Sequence, residues 1–155
     1  MVKTLLGNGS LKFGIVFTGT KFNDGYNWLP NDKVYGEFDL DILEQWLAFL
    51  VRIKTSGRPI PPSFIIFDDC ISSLPLTSKR WRQFLLAYRH YGLTLFFTTQ
   101  ASNLSDTLLR AQTEHAFIFA QHNKRQFEAS YEWVGELFET IKEWRLGYAS
   151  ANWSD

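Results

Sequence analysis

The chain has 155 residues, of which 45% are hydrophobic and 17% aromatic, and its formal net charge at pH 7 is zero. That length suits one domain with a substantial core, and the apolar fraction argues against disorder. Balanced charge excludes a generally basic nucleic-acid-binding surface, so any contact with DNA must be local. The single cysteine, Cys70, excludes an internal disulfide, and no apolar run approaches the roughly 20 residues of a membrane span. We expect an intracellular protein without a membrane segment.

Four short apolar runs along the chain indicate β-strands. Each is rich in β-branched or aromatic residues and nearly continuous rather than alternating, as expected of strands covered on both faces of a sheet. We predict a strand at each run. They are FGIVFT (13–18), FIIF (64–67), LTLFFTT (93–99) and AFIFA (116–120).

Helical spacing of apolar residues characterises two of the segments between these runs. In residues 39–54 apolar side chains recur every three or four positions, with Asp39 in the N-cap position and Gly57 beyond the end. Residues 77–92 repeat this spacing and end in Gly92, a typical helix stop. Each segment therefore predicts one helix.

A third helical pattern follows the last strand. Residues 123–144 place large apolar side chains on one stripe and predict a single C-terminal helix. Strands and helices thus alternate along the chain, which predicts an α/β domain with a mostly parallel sheet flanked by helices. The segment 19–38 reads as a long loop, and residues 147–155 as a flexible tail.

The run FIIF leads directly into two aspartates, Asp68 and Asp69. In open parallel sheets, ligands bind beyond the carboxyl ends of the strands, so residues that follow a buried strand are delivered to the site. A single Asp at such a position often only caps the next turn. Two in succession after four bulky apolar residues favour a functional site.

The next strand along the chain ends in Thr98, Thr99 and Gln100. These polar groups should emerge at the same sheet edge as the aspartates. An amide can donate to a phosphate oxygen while it accepts from a water, and a carboxylate can hold Mg²⁺ through water or take a proton from one. The alternative for Gln100 is a strand-end side chain that bonds to the backbone.

These residues carry a family resemblance that covers roughly residues 11–121. FIIFDDC resembles a Walker B strand, and RHYGLTLFFTTQ (89–100) resembles the arginine-containing helix end and glutamine-tipped sensor strand of the FtsK and HerA superfamily of DNA-translocating ATPases. Within that superfamily the chain is most similar to the viral genome-packaging ATPases of the poxvirus type and their relatives in virus-like transposons. FGIVFTGTKFNDGYNWLPNDKVY (13–35) also resembles that group.

The resemblance implies a P-loop NTPase fold and a set of site residues. Asp68 would hold Mg²⁺ through water, Asp69 would polarise the attacking water, and Gln100, with Thr99 beside it, would sense the γ-phosphate of ATP. Arg89 matches an arginine that acts on a neighbouring subunit's nucleotide or holds the interface. The implied partners are double-stranded DNA and further copies of the chain in a ring, in the host cytoplasm or nucleus or in the virion.

A second arginine, Arg110, is a further candidate for this role. For Arg110, as for Arg89, the structural alternative is a solvated charge at a helix end.

The sequence departs from the family in one respect that matters more than these matches. Its phosphate loop is absent. A Walker A motif, GxxxxGK(S/T), surrounds phosphates with backbone N–H groups and supplies a lysine and a hydroxyl. GNGSLKFG (7–14) has glycines but lacks the GK(S/T) ending, and it precedes a strand. The pair Lys3-Thr4 has no loop upstream of it. We therefore read residues 1–155 as one partial P-loop NTPase-like domain.

The missing segment also has a structural consequence. In the superfamily the Walker A strand lies between the sensor strand and the strand that follows it, so this chain would lack an interior strand. Either AFIFA pairs directly with LTLFFTT, or another polypeptide supplies the strand, or the chain is a fragment. Unpaired apolar edges would otherwise recruit partners or aggregate.

Three functions remain open from the sequence. The first is part of an ATP-driven DNA-packaging or translocation motor. The second is a non-catalytic interaction or ring-assembly module derived from such an ATPase, which the missing GK(S/T) favours. The third, a Mg²⁺-dependent nuclease built on Asp68 and Asp69, lacks the further acidic residue and lysine that such sites recruit.

Overall fold

The computed structural model describes residues 2–19, 24–99, 106–119, 123–134 and 140–152. The chain divides into two compact units, Met1–Thr99 and Gln100–Asp155. The first unit contains the sheet and the second contains helices. Gln100 lies outside the described residues.

The first unit is built on a four-stranded parallel sheet. Its strands, in sheet order, are β2 (Val34–Tyr35), β1 (Phe13–Thr18), β3 (Ser63–Asp68) and β4 (Leu93–Thr98). Three of them coincide with predicted runs, so the α/β class with a parallel sheet is confirmed. The two-residue strand β2 lies inside the segment predicted to be a long loop, where two short 3₁₀ turns, Asp24–Tyr26 and Asn31–Lys33, also occur.

One face of the sheet carries a row of aromatic side chains across all four strands, here called the aromatic rung. Phe17 and Phe67 stack with ring centroids 5.7 Å apart, and Phe67 and Phe97 stack at 4.7 Å. Tyr35 completes the row at 5.5 Å from Phe17. Because these residues are register partners in parallel strands, the rung fixes the alignment of the sheet.

Helices α2 (Leu40–Thr55) and α3 (Lys79–Ala87) supply the cover of this face. Trp81 of α3 is fully buried and meets Phe67 edge-on, with ring centroids 5.4 Å apart. Trp46 of α2 packs edge-on against Phe13 at 5.3 Å. The basic residues on either side of Trp81 are exposed; they are Lys79, Arg80 and Arg82. They form a solvated face of the helix, while the tryptophan between them belongs to the core.

The ends of α2 match the prediction from sequence. The side chain of Asp39 accepts hydrogen bonds from the backbone N–H groups of Asp41 and Ile42, so it is the N-cap. Gly57 follows the helix with a φ of +74°, the left-handed conformation that ends many helices. The predicted helix 77–92 is α3 followed by a 3₁₀ turn, Tyr88–Tyr91, which Gly92 ends at a φ of +64°.

The opposite face of the sheet is covered by α1 (Val2–Gly7) and by the segment Gly25–Leu29. Val16, Phe64 and Ile66 of the sheet form a buried cluster on this side, and Tyr26 and Trp28 pack against it. Apolar side chains of α1 complete the cover; they are Val2, Leu5 and Leu6. Both faces of β1 and β3 are therefore buried, as their continuous apolar runs predicted.

The second unit contains α4 (Thr107–Gln112), α5 (Lys124–Val134) and α6 (Ile141–Asn152). The prediction of one helix over 123–144 is wrong, because a new helix begins after Thr140. The hydroxyl of Thr140 accepts from the Glu143 N–H at 3.2 Å, and the Glu143 carboxylate accepts from the Thr140 N–H at 3.3 Å. This capping box starts α6, which continues through residues 147–152 of the expected tail.

The fourth predicted strand, AFIFA, is also wrong over its described part. Residues 116–119 have no regular structure, and Phe117 and Phe119 are 70% and 80% exposed. An apolar run forms a stable strand only when a neighbour pairs with it and its faces are covered. Among the described strands only β3 pairs with β4.

No helix in the described part of the chain is both long enough and apolar enough to cross a membrane.

Candidate functional site

One register step beyond the aromatic rung, the sheet presents three polar residues side by side. Thr18, Asp68 and Thr98 end β1, β3 and β4 and are register partners; we call them the polar rung. Thr18 Oγ1 donates to Asp68 Oδ2 at 3.0 Å. Thr98 Oγ1 donates to the other carboxylate oxygen, Asp68 Oδ1. A half-buried carboxylate is thus held from both sides by hydroxyls.

The polar rung lies on the face of the sheet that Tyr26 covers. Side chains alternate along a strand, so Thr18, Asp68 and Thr98 share the face of Val16, Ile66 and Phe96 rather than that of the aromatic rung. Tyr26 packs against this face, close enough to Asp68 for the carboxylate to raise the pKa of its hydroxyl.

Tyr26 is held neutral in this position. Burial raises the pKa of Tyr26, and the negative charge of Asp68 nearby raises that pKa further. The neighbouring Trp28 anchors the segment: its Nε1 donates to the Gly25 carbonyl at 2.8 Å, and its ring centroid lies 6.2 Å from that of Phe64. A core contact therefore positions the hydroxyl near Asp68.

The chain turns sharply directly after Asp68. Asp69 has a φ of +48°, the one positive value outside glycine among the residues that the structure describes. Aspartate tolerates this left-handed conformation better than most residues, and such positions cluster at functional sites. The Asp69 N–H donates to the Thr98 carbonyl at 3.2 Å, and the Gly19 N–H donates to the Asp68 carbonyl at 3.2 Å. These bonds tie three strand ends together and leave the Asp69 side chain exposed.

Cys70 directly follows the two aspartates in the chain and is buried. Its Sγ donates to the Phe17 carbonyl at 3.6 Å. Burial raises the pKa of the Cys70 thiol to about 11, and the charges of Asp68 and Asp69 add to the effect. The thiol is therefore protonated and unreactive at neutral pH.

The site offers oxygen ligands of the kind that Mg²⁺ prefers. Magnesium usually keeps several waters and binds through one or two carboxylates plus substrate phosphates rather than in an all-protein cage. Among the described side chains, no three His, Cys, Asp or Glu residues cluster as a metal cage would require. Asp68 with its neighbouring hydroxyls fits the first arrangement, in which phosphates supply the missing ligands.

The structure brings together some of the predicted site residues of the first unit and separates Arg89 from them. Asp68 and Asp69 lie at the carboxyl end of the sheet, and Thr99 is exposed one residue beyond the polar rung. Arg89 precedes the opposite end of β4, roughly 17 Å away along the strand direction. There its guanidinium lies 5.5 Å from the Tyr88 ring centroid. Arg110 belongs to α4 of the second unit.

Two residues of the site were not predicted as part of it, Thr18 and Tyr26. Thr18 had a detectable pattern, because it ends an apolar run as Asp68 and Thr98 do. Tyr26 had none, since its approach to Asp68 depends on how the segment Gly25–Leu29 folds over the sheet.

A shallow groove of about 330 Å³ lies elsewhere in the first unit, between α2 and α3. It is crossed by a salt bridge of 3.3 Å between Arg80 and Glu44. Both charges are largely exposed, so this ion pair contributes little. The groove does not include the polar rung.

The chain is similar to one curated viral protein. It is 25% identical over 138 residues to "Uncharacterized protein 075L" of Invertebrate iridescent virus 6, a match that covers 83% of this chain and 52% of that protein. The chain thus spans about half the length of the relative it matches. No family model matches the chain, and no solved structure does.

Proposed function

We propose that the chain is part of an ATP-driven DNA-packaging or translocation ATPase of viral or virus-like type, with Asp68 at the centre of its Mg²⁺–nucleotide site. The observation that carries the proposal is the polar rung at the carboxyl end of the parallel sheet. In such sheets this edge is where ligands bind. Asp68 is fixed there between two threonine hydroxyls.

The two aspartates take different roles because their surroundings differ. Asp68 is half-buried and held by hydroxyls, which suits a fixed carboxylate that holds the water shell of Mg²⁺. Asp69 is exposed on a sharp turn, so its side chain can accept a proton from an attacking water. The bound Mg²⁺ would neutralise charge that develops on the phosphates.

The sensor role falls to the residues that end β4. Thr99 is exposed beyond the polar rung, and Gln100 follows it in the sequence. A γ-phosphate beside Asp68 would be within reach of a side chain that extends from this strand end. Gln100 is therefore the proposed sensor, with Thr99 beside it.

The P-loop fold type is part of the same proposal. β4 forms an edge of the sheet, and the resemblance puts the strand that leads into the phosphate loop beside the sensor strand. Six apolar or threonine residues form β4, with no charge to protect its edge. A further strand on that edge, from outside this chain, would supply the phosphate loop. The relative from Invertebrate iridescent virus 6 is about twice as long as its matched part, which leaves room for such a segment.

Arg89 fits a role across a subunit boundary better than one within this site. It is exposed and lies at the end of β4 remote from Asp68. In a ring, that end of one subunit would face the nucleotide of the next. Double-stranded DNA would then pass through a ring of identical subunits, in the host cell or in the virion.

A non-catalytic ring-assembly module is the second candidate. The sequence lacks a GK(S/T) ending, and without a phosphate loop the chain alone would bind nucleotide weakly. In this case the edge of β4 would bind a partner strand, and Asp68 would serve only to join the strand ends. A nuclease is less well supported, since the described carboxylates form no cluster of three.

Nucleotide binding separates these candidates. A fluorescent ATP analogue is titrated into the purified chain with and without Mg²⁺, for the wild type, Asp68→Ala and the exposed control Asp41→Ala. The proposal expects Mg²⁺-dependent binding that Asp68→Ala abolishes and Asp41→Ala retains. If the folded wild type does not bind the analogue up to about 1 mM, its binding free energy is weaker than roughly 4 kcal/mol. That result would favour the assembly module.

A further inference from the structure

The carboxylate of Asp68 is held by one hydroxyl on each of its two oxygens. Thr18 of β1 donates to Oδ2 at 3.0 Å, and Thr98 of β4 donates to Oδ1. Because β1 and β4 flank β3 on opposite sides, the two bonds hold the oxygens toward different strands. The carboxylate is therefore aligned across the sheet. A carboxylate has about four acceptor positions, so these two bonds leave it able to accept waters of a hydrated cation.

The two hydroxyls differ in their surroundings. Thr18 is fully buried at the end of an interior strand, and its β-branched side chain has few rotamers open to it. Thr98 is exposed at the end of β4, where water competes for its hydroxyl. The backbone holds both neighbours of β3 alike. The Gly19 N–H donates to the Asp68 carbonyl at 3.2 Å, and on the other side the Asp69 N–H donates to the Thr98 carbonyl at 3.2 Å. Burial therefore makes Thr18 the more firmly fixed donor.

We propose that Thr18 is a positioning residue of the cation site: its hydroxyl fixes the Asp68 carboxylate in the orientation that accepts the water shell of a divalent cation, and so raises the affinity for that cation. The inference deepens the proposed function and rests on it, since Asp68 must be the cation-binding group. Thr18 acts through Asp68 and does not itself touch the cation. Thr98 contributes less, because water can replace its exposed hydroxyl on Oδ1.

Two effects of the Thr18 hydroxyl oppose each other. A donor on Oδ2 withdraws charge from the carboxylate, which by itself would weaken the hold of Asp68 on a cation. The same donor removes rotational freedom that the carboxylate would otherwise lose when the cation binds. Hydrogen bonds that orient metal-binding side chains typically raise metal affinity by roughly 10–100-fold, so the second effect is the larger. Loss of this bond should therefore weaken cation binding.

Mn²⁺ alone, without nucleotide, is the probe for this effect. Free Mn²⁺ in water gives a sharp electron paramagnetic resonance signal that weakens when the ion binds to protein, so a titration gives the dissociation constant even when binding is weak. Binding that Asp68→Asn abolishes is assigned to the site. Thr18→Val removes the hydroxyl and keeps the side-chain shape, whereas Thr18→Ser keeps the hydroxyl. Ile15→Val is the matched control, because it removes a buried methyl group from the other face of β1 but no donor.

The variants should fall in a defined order. We expect Thr18→Val to raise the Mn²⁺ dissociation constant about tenfold and Thr18→Ser to stay close to the wild type. Ile15→Val should leave the constant unchanged, and Thr98→Val should raise it less than Thr18→Val does. Unchanged or tighter binding in Thr18→Val would overturn the inference. So would an equal loss in Thr18→Ser, Ile15→Val or Thr98→Val, because the loss would then not depend on the buried hydroxyl.

A second readout reports on the carboxylate in the absence of any cation. In protein labelled with ¹³C at the aspartate Cγ, the Asp68 resonance is assigned with Asp68→Asn. It should shift in Thr18→Val and stay near its wild-type position in Thr18→Ser, while the resonance of Asp41, exposed on α2, does not move. An Asp68 resonance that is the same in Thr18→Val and the wild type would show that Thr18 does not hold the carboxylate.

The outcomes separate this inference from the proposed function. If no Mn²⁺ binding depends on Asp68, the carboxylate is not the cation-binding group and both fail. If Asp68 binds Mn²⁺ but Thr18→Val makes no difference, only the positioning role of Thr18 fails. If the Thr18 variants behave as expected and the chain does not bind ATP, only the proposed function fails.

Discussion

Thr18 Oγ1 lies 3.0 Å from Asp68 Oδ2, although fifty residues separate the two in the chain. The bond exists because β1 and β3 run parallel and in register, which makes the last residue of one strand the neighbour of the last residue of the other. Thr18 is fully buried. Its hydroxyl is therefore part of the fold as well as of the site.

Thr18→Val tests this dual role, because it keeps the side-chain shape and removes the donor. We expect it to lower the free energy of unfolding by about 1.5–3 kcal/mol, the range for a hydrogen bond to a charged group. Urea unfolding measures the change. Thr94→Val, at an exposed position of β4, is the control and should shift stability by less than about 0.5 kcal/mol. Equal effects of the two substitutions would show that the hydrogen bond from Thr18 to Asp68 does not stabilise the fold.

Gly14 permits the close approach of β1 and β3. A Cβ at this position would lie 2.4 Å from the Phe64 carbonyl oxygen and 2.5 Å from its ring, far inside van der Waals contact. Gly14→Ala should therefore destabilise the protein by at least about 2 kcal/mol, as overpacking of a rigid core does. Gly7→Ala, where nothing lies within 4 Å of the added Cβ, should be nearly neutral. Thermal unfolding of both variants makes the comparison.

The aromatic rung should dominate the stability of the sheet. Phe67 is fully buried between Phe17 and Phe97 and meets Trp81 edge-on. Phe67→Ala is expected to cost about 3–5 kcal/mol, enough to unfold a marginally stable domain at 37 °C. Phe49→Ala, whose side chain is 42% exposed, should cost much less. Urea midpoints that are equal for the two variants would contradict the central place of the rung.

Much of the first unit could be predicted from local patterns. Continuous apolar runs identified β1, β3 and β4, because strands buried on both faces need no polar alternation. The capping carboxylate of Asp39 indicated where α2 begins, and the glycine after α2 indicated where it ends. The aspartates after β3 were placed at the correct sheet edge because parallel topology brings strand ends together.

What could not be predicted depends on distant contacts. β2 has only two residues, too few for any periodicity. AFIFA has the composition of a strand, but its Phe117 and Phe119 are exposed, because burial is decided by neighbours rather than by residue type. Tyr26 reaches Asp68 only through the folding of a turn-rich segment over the sheet.

Cys70 should respond to alkaline pH in a defined way. Its pKa in the folded state is about 11, whereas an exposed thiol has a pKa of about 8.5. The unfolded chain therefore releases this proton first, so the contribution to stability is full below about pH 8.5 and is lost as pH rises toward about 11.

Thiol reactivity and unfolding check this prediction together. Reaction of Cys70 with a disulfide reagent at pH 8 should be slow in the folded protein and fast in urea. Cys70→Ala should reduce the fall in melting temperature between pH 9 and pH 11. Rapid labelling of the native protein at pH 8, with no loss of structure, would show that the thiol is not enclosed behind the aspartates.

The position of a bound metal shows whether Asp68 is the cation-binding group. Crystals grown with Mn²⁺ and a non-hydrolysable ATP analogue would locate the ion by its anomalous scattering. We predict a peak beyond the end of β3, about 4–5 Å from the Asp68 carboxylate, the separation of a water-bridged ion, and we expect the peak to be lost in Asp68→Asn. An ion and nucleotide bound elsewhere, or a peak that persists unchanged in Asp68→Asn, would contradict it.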